Sequence, residues 1–260
     1  MIVEVVMRRI LVATALAGLL GGVAAITHHR LTTAATPLVT VAIKATQAPP
    51  WSTRIHFDFS QGLGGPVAES GQQLALVEAV EAGGSLIQMP RGDGWAVHFP
   101  GRCHLDPQEC PRAILESGPA GILNPGIRAV RWGASVQMMV NETSDGGNVL
   151  QKGLADSGTQ FKLQVDGLEG RPSCAVAGPE GKFLALSPTG IADGKWHQLL
   201  CERNDDQLTL YVDGQWAAAI PVPVGLSIVN NAPLRLGGKG HGAYNDQFHG
   251  TLDDVFVEIA

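Results

Sequence analysis

Hydrolysis of a sugar chain would have to start from carboxylates. Retaining cleavage needs an acid and a nucleophile about 5–5.5 Å apart, and on a strand only alternate residues share a face. In this chain no two acidic residues are separated by a single residue. A spacing of four occurs only at Glu202/Asp206, across a polar turn, and at Asp254/Glu258, near the end of the sequence. Neither pair has a third acidic neighbour in mid-strand. The paired-carboxylate pattern is absent, and the residues favour a non-catalytic role over a hydrolase or lyase.

Other constellations invite chemistry and mostly decline it. Gly237 to Gly242 is glycine-rich but lacks the Ser/Thr and the strand-to-helix setting of a phosphate loop. His241, Asp246 and His249 stand close enough in sequence to be tested as metal ligands, against the simpler reading of an exposed polar loop. Arg91-Gly92-Asp93 spells an adhesion tripeptide that chance supplies readily, and Asn141-Glu142-Thr143 is a glycosylation sequon. Asp193 to Arg203 gathers Trp196, His197, Cys201 and Glu202, yet each has a structural reading. Trp196 is expected in the core, His197 as a hydrogen-bonded partner, and Cys201 as a disulfide half. Asp213-Gly214 suits a tight hairpin turn needing positive φ.

Sugar recognition asks for exposed aromatics beside amides and carboxylates. Trp216 after the hairpin, Tyr244 in a polar loop and Tyr211 on the face opposite Leu210 are the candidates. Each could equally cover an edge of the core.

The elements that must carry these residues are strands. Ile55, Phe57 and Phe59 alternate with polar residues, as do Trp95, Val97 and Phe99. Phe161, Leu163 and Val165 do the same, with Lys162 and Gln164 opposite, and so do Leu208, Leu210 and Val212. Ala75 to Ala82 reads as a short strand or loop stopped by Gly83-Gly84. The 33 glycines and 16 prolines, with strand-like segments about every ten residues, predict an all-β antiparallel sandwich.

The first fifty residues differ. Arg8-Arg9 precede an apolar run from Ile10 to Ile26, which reads as a secretory signal, with Met7 as an alternative start. An uncleaved N-terminal anchor is the competing reading. Residues 1–30 are assigned to this segment, 31–50 to a Thr/Ala/Pro-rich linker and 51–260 to the folded domain. Residues 1–50 hold four of the 18 basic residues and one of the 24 acidic ones, so the domain carries a net charge of −9. That acidity argues against nucleic acid and against an anionic membrane surface as partners.

Four cysteines in an exported domain predict two disulfides. Pairing Cys103 with Cys110 and Cys174 with Cys201 joins near neighbours and plausible partner strands; the other two pairings stay open. No C-x-x-C spacing supports zinc.

The order of motifs resembles the laminin-G-like domain of the concanavalin A-like lectin/glucanase superfamily. It runs Trp196-His197, then Leu210-Tyr211-Val212-Asp213-Gly214, Pro233 to Gly238, and Phe248-His249-Gly250-Thr251-Leu252-Asp253-Asp254-Val255. The specific motifs cover about residues 194–257, and looser ones reach back to Phe57-Asp58. The resemblance implies a two-sheet antiparallel jelly roll. It also implies a structural calcium ion, with Asp253 a contributor and Asp58 a candidate partner. The expected function is an exported binding module, secreted or in the cell envelope. Its partner would be a glycan or an extracellular or cell-surface protein, bound in the loops or on the concave face. A carbohydrate-active enzyme with an unrecognised site and a structural envelope protein are the alternatives.

Overall fold

The computed structural model describes residues 51–63, 67, 68, 71, 73–156 and 158–260. The assignments of residues 1–30 and 31–50 lie outside them. Helix among the described residues is confined to two single 3-10 turns, Gly121–Leu123 and Val140–Glu142.

Two antiparallel sheets make the fold. The first contains β1 (Thr53–Phe57), β4 (Ile87–Arg91), β5 (Gly94–His98), β7 (Val130–Met139), β12 (Asp193–Asn204), β13 (Gln207–Val212), β14 (Gln215–Pro221) and β16 (Thr251–Ile259). Its order is β14-β13-β12-β7-β16-β5-β4, with β1 also on β16. The second contains β2 (Val67–Ala68), β3 (Ala75–Glu81), β6 (Arg112–Pro119), β8 (Gly146–Gly153), β9 (Gln160–Asp166), β10 (Arg171–Gly178), β11 (Gly181–Leu186) and β15 (Pro233–Leu236). Its order is β11-β10-β9-β8-β15-β6-β3-β2. The expected two-sheet sandwich is present, and residues 75–81 are strand.

Period-two alternation puts one row of each strand inside. Trp132, Ala134, Val136 and Met138 of β7 are buried, as are Phe161, Leu163 and Val165 of β9 and Val255, Val257 and Ile259 of β16. Trp132 lies against Phe161, ring centroids 5.2 Å apart. Cys174 of β10 and Cys201 of β12 close a disulfide between the two sheets, with Cα atoms 5.6 Å apart. Cys103 and Cys110 close a short loop, also at 5.6 Å. The Asp213-Gly214 turn takes the positive φ its residues favour, +52° and +73°.

Buried cations tie the loops. The Arg203 guanidinium donates to the carbonyls of Gly126, Ile127, Arg128 and Leu226. Lys152 Nζ donates to Asn124 Oδ1 (2.7 Å), Asn230 O (2.9 Å) and Asn230 Oδ1 (2.8 Å). Burial pushes its ammonium down to about 8.

Two expected positions need correction. Trp196 is half-buried on the outer face of the first sheet, not in the core. It sits opposite Gln137, and the Arg91 guanidinium stacks 4.1 Å from its ring centroid. The core tryptophan is Trp132. Trp95 shares strand parity with the buried Val97 but remains 40% exposed in β5.

Candidate functional site

The second sheet presents rows of side chains to its outer face. One row is fixed by register: Leu184 on β11, Ala175 on β10, Lys162 on β9, Gln151 on β8, Arg235 on β15 and Glu116 on β6. The next row on the same face places Lys182 beside Ala177 and Gln160. Small side chains at Ala175 and Ala177 keep the floor low, while Lys182 and Leu184 rise on one side.

The other side is walled by the loop from Lys239 to Asp246. The Lys239 amide donates to Asn245 O (2.8 Å), and the Asn148 amide of β8 donates to Asp246 O (2.9 Å). Asn245 Nδ2 donates to Gly240 O (2.9 Å), and the buried Gln247 amide donates to Ala113 O (3.0 Å) and Gly237 O (2.9 Å). These bonds hold the loop as a wall against the sheet. Between wall and floor lies a cavity of about 800 Å³. Tyr244 stands on its rim and is 74% exposed. The volume falls within the range of small-molecule sites.

The cavity carries three lysines and two aspartates. Lys182 is ion-paired to Asp156, and Lys239 to Asp246 at 3.0 Å. The Lys182 hydrogen bond holds the Asp156 carboxyl below its usual range. A glycosidic general acid needs the opposite shift. Lys162 lies half-buried between these pairs.

The outer face of the first sheet is built differently. Arg91 Nη1 reaches Asp253 Oδ2 at 2.5 Å and Asp254 Oδ2 at 2.8 Å. Ser135 Oγ donates to the same Asp254 oxygen at 3.1 Å, and His56 Nε2 lies 3.6 Å from Asp254 Oδ1. Burial raises the Asp253 pKa. Burial also opposes the Arg91 charge, but hydrogen bonds to Asp253 and Asp254 outweigh it and raise its pKa.

Calcium does not fit this arrangement. It needs six to eight oxygen ligands, whereas a guanidinium already satisfies Asp253. Asp58 is exposed and accepts from the amide and hydroxyl of Ser60 (3.0 and 2.9 Å), and the amide bond is the main cause of its lowered pKa. Among the described residues no cluster of three or more His, Cys, Asp or Glu could hold a metal ion. His241, Asp246 and His249 go separate ways, toward Glu81, Lys239 and the Pro100 carbonyl.

The three candidate aromatics divide between the two sheets. Tyr244 is at the cavity. Tyr211 and Trp216 are cross-strand neighbours on the first sheet, away from it, with Trp216 66% exposed. His197 has the structural role expected: Nδ1 meets Asp213 Oδ2 at 2.8 Å and Nε2 meets Asp193 Oδ1 at 3.1 Å. Lys162 and the small residues at 175 and 177 were missed as site residues. The available signal was the alternation that set Lys162 opposite Phe161 and Leu163.

Two antiparallel sheets packed as a sandwich define the jelly-roll class. Residues 131–258 match a laminin G family model described as the concanavalin A-like lectin/glucanases superfamily, so this stretch is laminin-G-like. The matched stretch contains every residue lining the cavity.

Solved structures share the fold at low identity. Domain 4 of AbnA, a GH43 extracellular arabinanase from Geobacillus stearothermophilus in complex with arabinotriose, is 14% identical with a TM-score of 0.55. The alignment covers 79% of this chain and 91% of that one. A structure of botulinum neurotoxin type C, described as dependent on two ganglioside molecules for entering cells, is 10% identical with a TM-score of 0.56, covering 78% and 47%. The binding domain of botulinum neurotoxin DC in complex with rat synaptotagmin II is 10% identical with a TM-score of 0.55, covering 78% and 47%. This chain thus spans about half the length of each neurotoxin chain. No curated protein sequence matches it.

Proposed function

We propose that the chain is an exported, non-catalytic binding module whose ligand is a glycan held in the second-sheet cleft. The carrying observation is the exposed Tyr244 ring on the rim of a cleft lined by Gln151, Gln160, Gln164 and three lysines. A sugar offers an apolar face for an aromatic and hydroxyls for amides and ammonium groups. Both cleft carboxylates are engaged by lysines, which supports binding over hydrolysis. The two disulfides support an oxidising compartment, secreted or in the cell envelope. Structural neighbours in complex with arabinotriose or dependent on gangliosides support a glycan at the level of fold.

The test is a glycan array probed with the full-length chain and with Tyr244→Ala. The wild type is expected to bind a defined set of oligosaccharides. Tyr244→Ala should weaken them about tenfold, ~1.4 kcal/mol, without lowering the melting temperature. Absence of binding to every glycan would move the function to a protein partner.

A further inference from the structure

The polar side chains on the outer face of the second sheet are mostly matched. Arg235 is paired with Glu116, Lys182 with Asp156, and Lys239 with Asp246. Arg112 donates to the carbonyls of Pro107, Cys110 and His241. Lys162 is the exception: it makes no hydrogen bond or ion pair among the described residues. Its neighbours across the strands are Ala175 and Gln151, neither of which carries charge. Burial depresses its pKa; Asp246 and Asp166 act against that, while Lys239 and Lys182 add to it. A half-desolvated ammonium without a direct counter-ion is costly, and an incoming anion would relieve the cost.

We infer that the cleft selects an acidic glycan, with Lys162 receiving an anionic oxygen group, carboxylate or sulfate, of one sugar unit. The inference rests on the glycan reading of this cleft. The position suits the task, because Lys162 stands in the central row beneath the wall that carries Tyr244. An aromatic can then cover one sugar while the ammonium holds the acidic substituent of the same sugar or its neighbour.

The net charge of the domain does not oppose this decisively. Exposed charges beyond about 10 Å are screened at physiological salt, and the cavity lining itself holds three lysines against two aspartates. A charge-assisted hydrogen bond is roughly twice as strong as a neutral one. One unmatched lysine can therefore set the preference among otherwise similar sugars.

The test compares three probes on the full-length chain by calorimetry: trigalacturonate, a heparin-derived tetrasaccharide and neutral arabinotriose. The first two distinguish carboxylate from sulfate as the source of the anion. At least one of them should bind more tightly than arabinotriose. Lys162→Gln should weaken that probe about tenfold, and Lys162→Arg should hold it within about threefold. Raising NaCl should weaken the acidic probe on the wild-type chain and leave arabinotriose unaffected, which serves even if Lys162→Gln folds poorly. Tight binding of arabinotriose alone, or unchanged acidic binding in a folded Lys162→Gln, would overturn the acidic preference and leave the cleft a glycan site. Failure to bind these probes and every glycan on the array would overturn both.

Discussion

The two outer faces of this sandwich contrast in how they treat charge and space. On the first sheet, Arg91 neutralises Asp253 and Asp254 and stacks on Trp196, while Arg131 pairs with Glu258 and lies over Trp51. Those cations answer carboxylates within the fold and brace β4, β7 and β16 together. On the second sheet, small residues in β10 open a floor, a loop walls it, and Lys162 is left unanswered. One face spends its polar groups on itself. The other keeps a cavity of about 800 Å³ and an unmatched cation, the two features that support the proposed ligand site. On the proposed reading, charged residues serve structure on one side and recognition on the other, and their direct partners distinguish them.

The contrast can be broken at the link between the faces. Replacing both Cys174 and Cys201 with alanine removes a crosslink spanning 27 residues. Loop-closure entropy puts the loss of stability near 3.5 kcal/mol, read by urea unfolding under non-reducing conditions. Next comes Arg91→Met, which leaves Asp253 and Asp254 uncompensated. It should cost about 2 kcal/mol, tempered by the partial exposure of the pair, while glycan affinity is unchanged. In the wild type a chelator should leave the melting temperature where it was, because Arg91 supplies the positive charge there.

A smaller effect concerns pH. Burial works against a charged His197, but hydrogen bonds to Asp213 and Asp193 outweigh it and raise its pKa. A raised histidine pKa gives stability that is full below the unfolded value of about 6.5. That stability is lost as pH rises through the folded value. Melting curves of wild type and His197→Gln should therefore converge as the pH rises above about 6.5.

Much of the fold was legible in the residues. Alternation at Phe161-Leu163-Val165 and Leu208-Leu210 marked buried faces, and Asp213-Gly214 marked its turn by a conformational need few residues meet. The favoured cysteine pairing, with two others left open, is the one the structure forms, although Cys174 and Cys201 lie on opposite sheets and not on partner strands. Trp196 was misplaced although the signal was present. It lies five positions from Cys201, an odd spacing, so on a strand whose Cys201 faces the core it must face outward. The tendency of large aromatics to bury their area overrode parity there. Tyr244 could be singled out because an aromatic in a polar loop has little to bury it. The cleft was not legible, because it depends on register between β8, β9, β10 and β11 and on a wall more than sixty residues from its floor at Ala175. No local pattern encodes that meeting.

The most direct test of a glycan site on the second sheet fills its floor. Ala175→Trp places a large ring in the cleft without altering any charge, and Trp216→Ala strips the exposed ring from the opposite face. Titration of both folded variants with the best glycan from the array should show binding lost in Ala175→Trp and kept within about twofold in Trp216→Ala. Full binding by Ala175→Trp, or its loss in Trp216→Ala alone, would contradict the account.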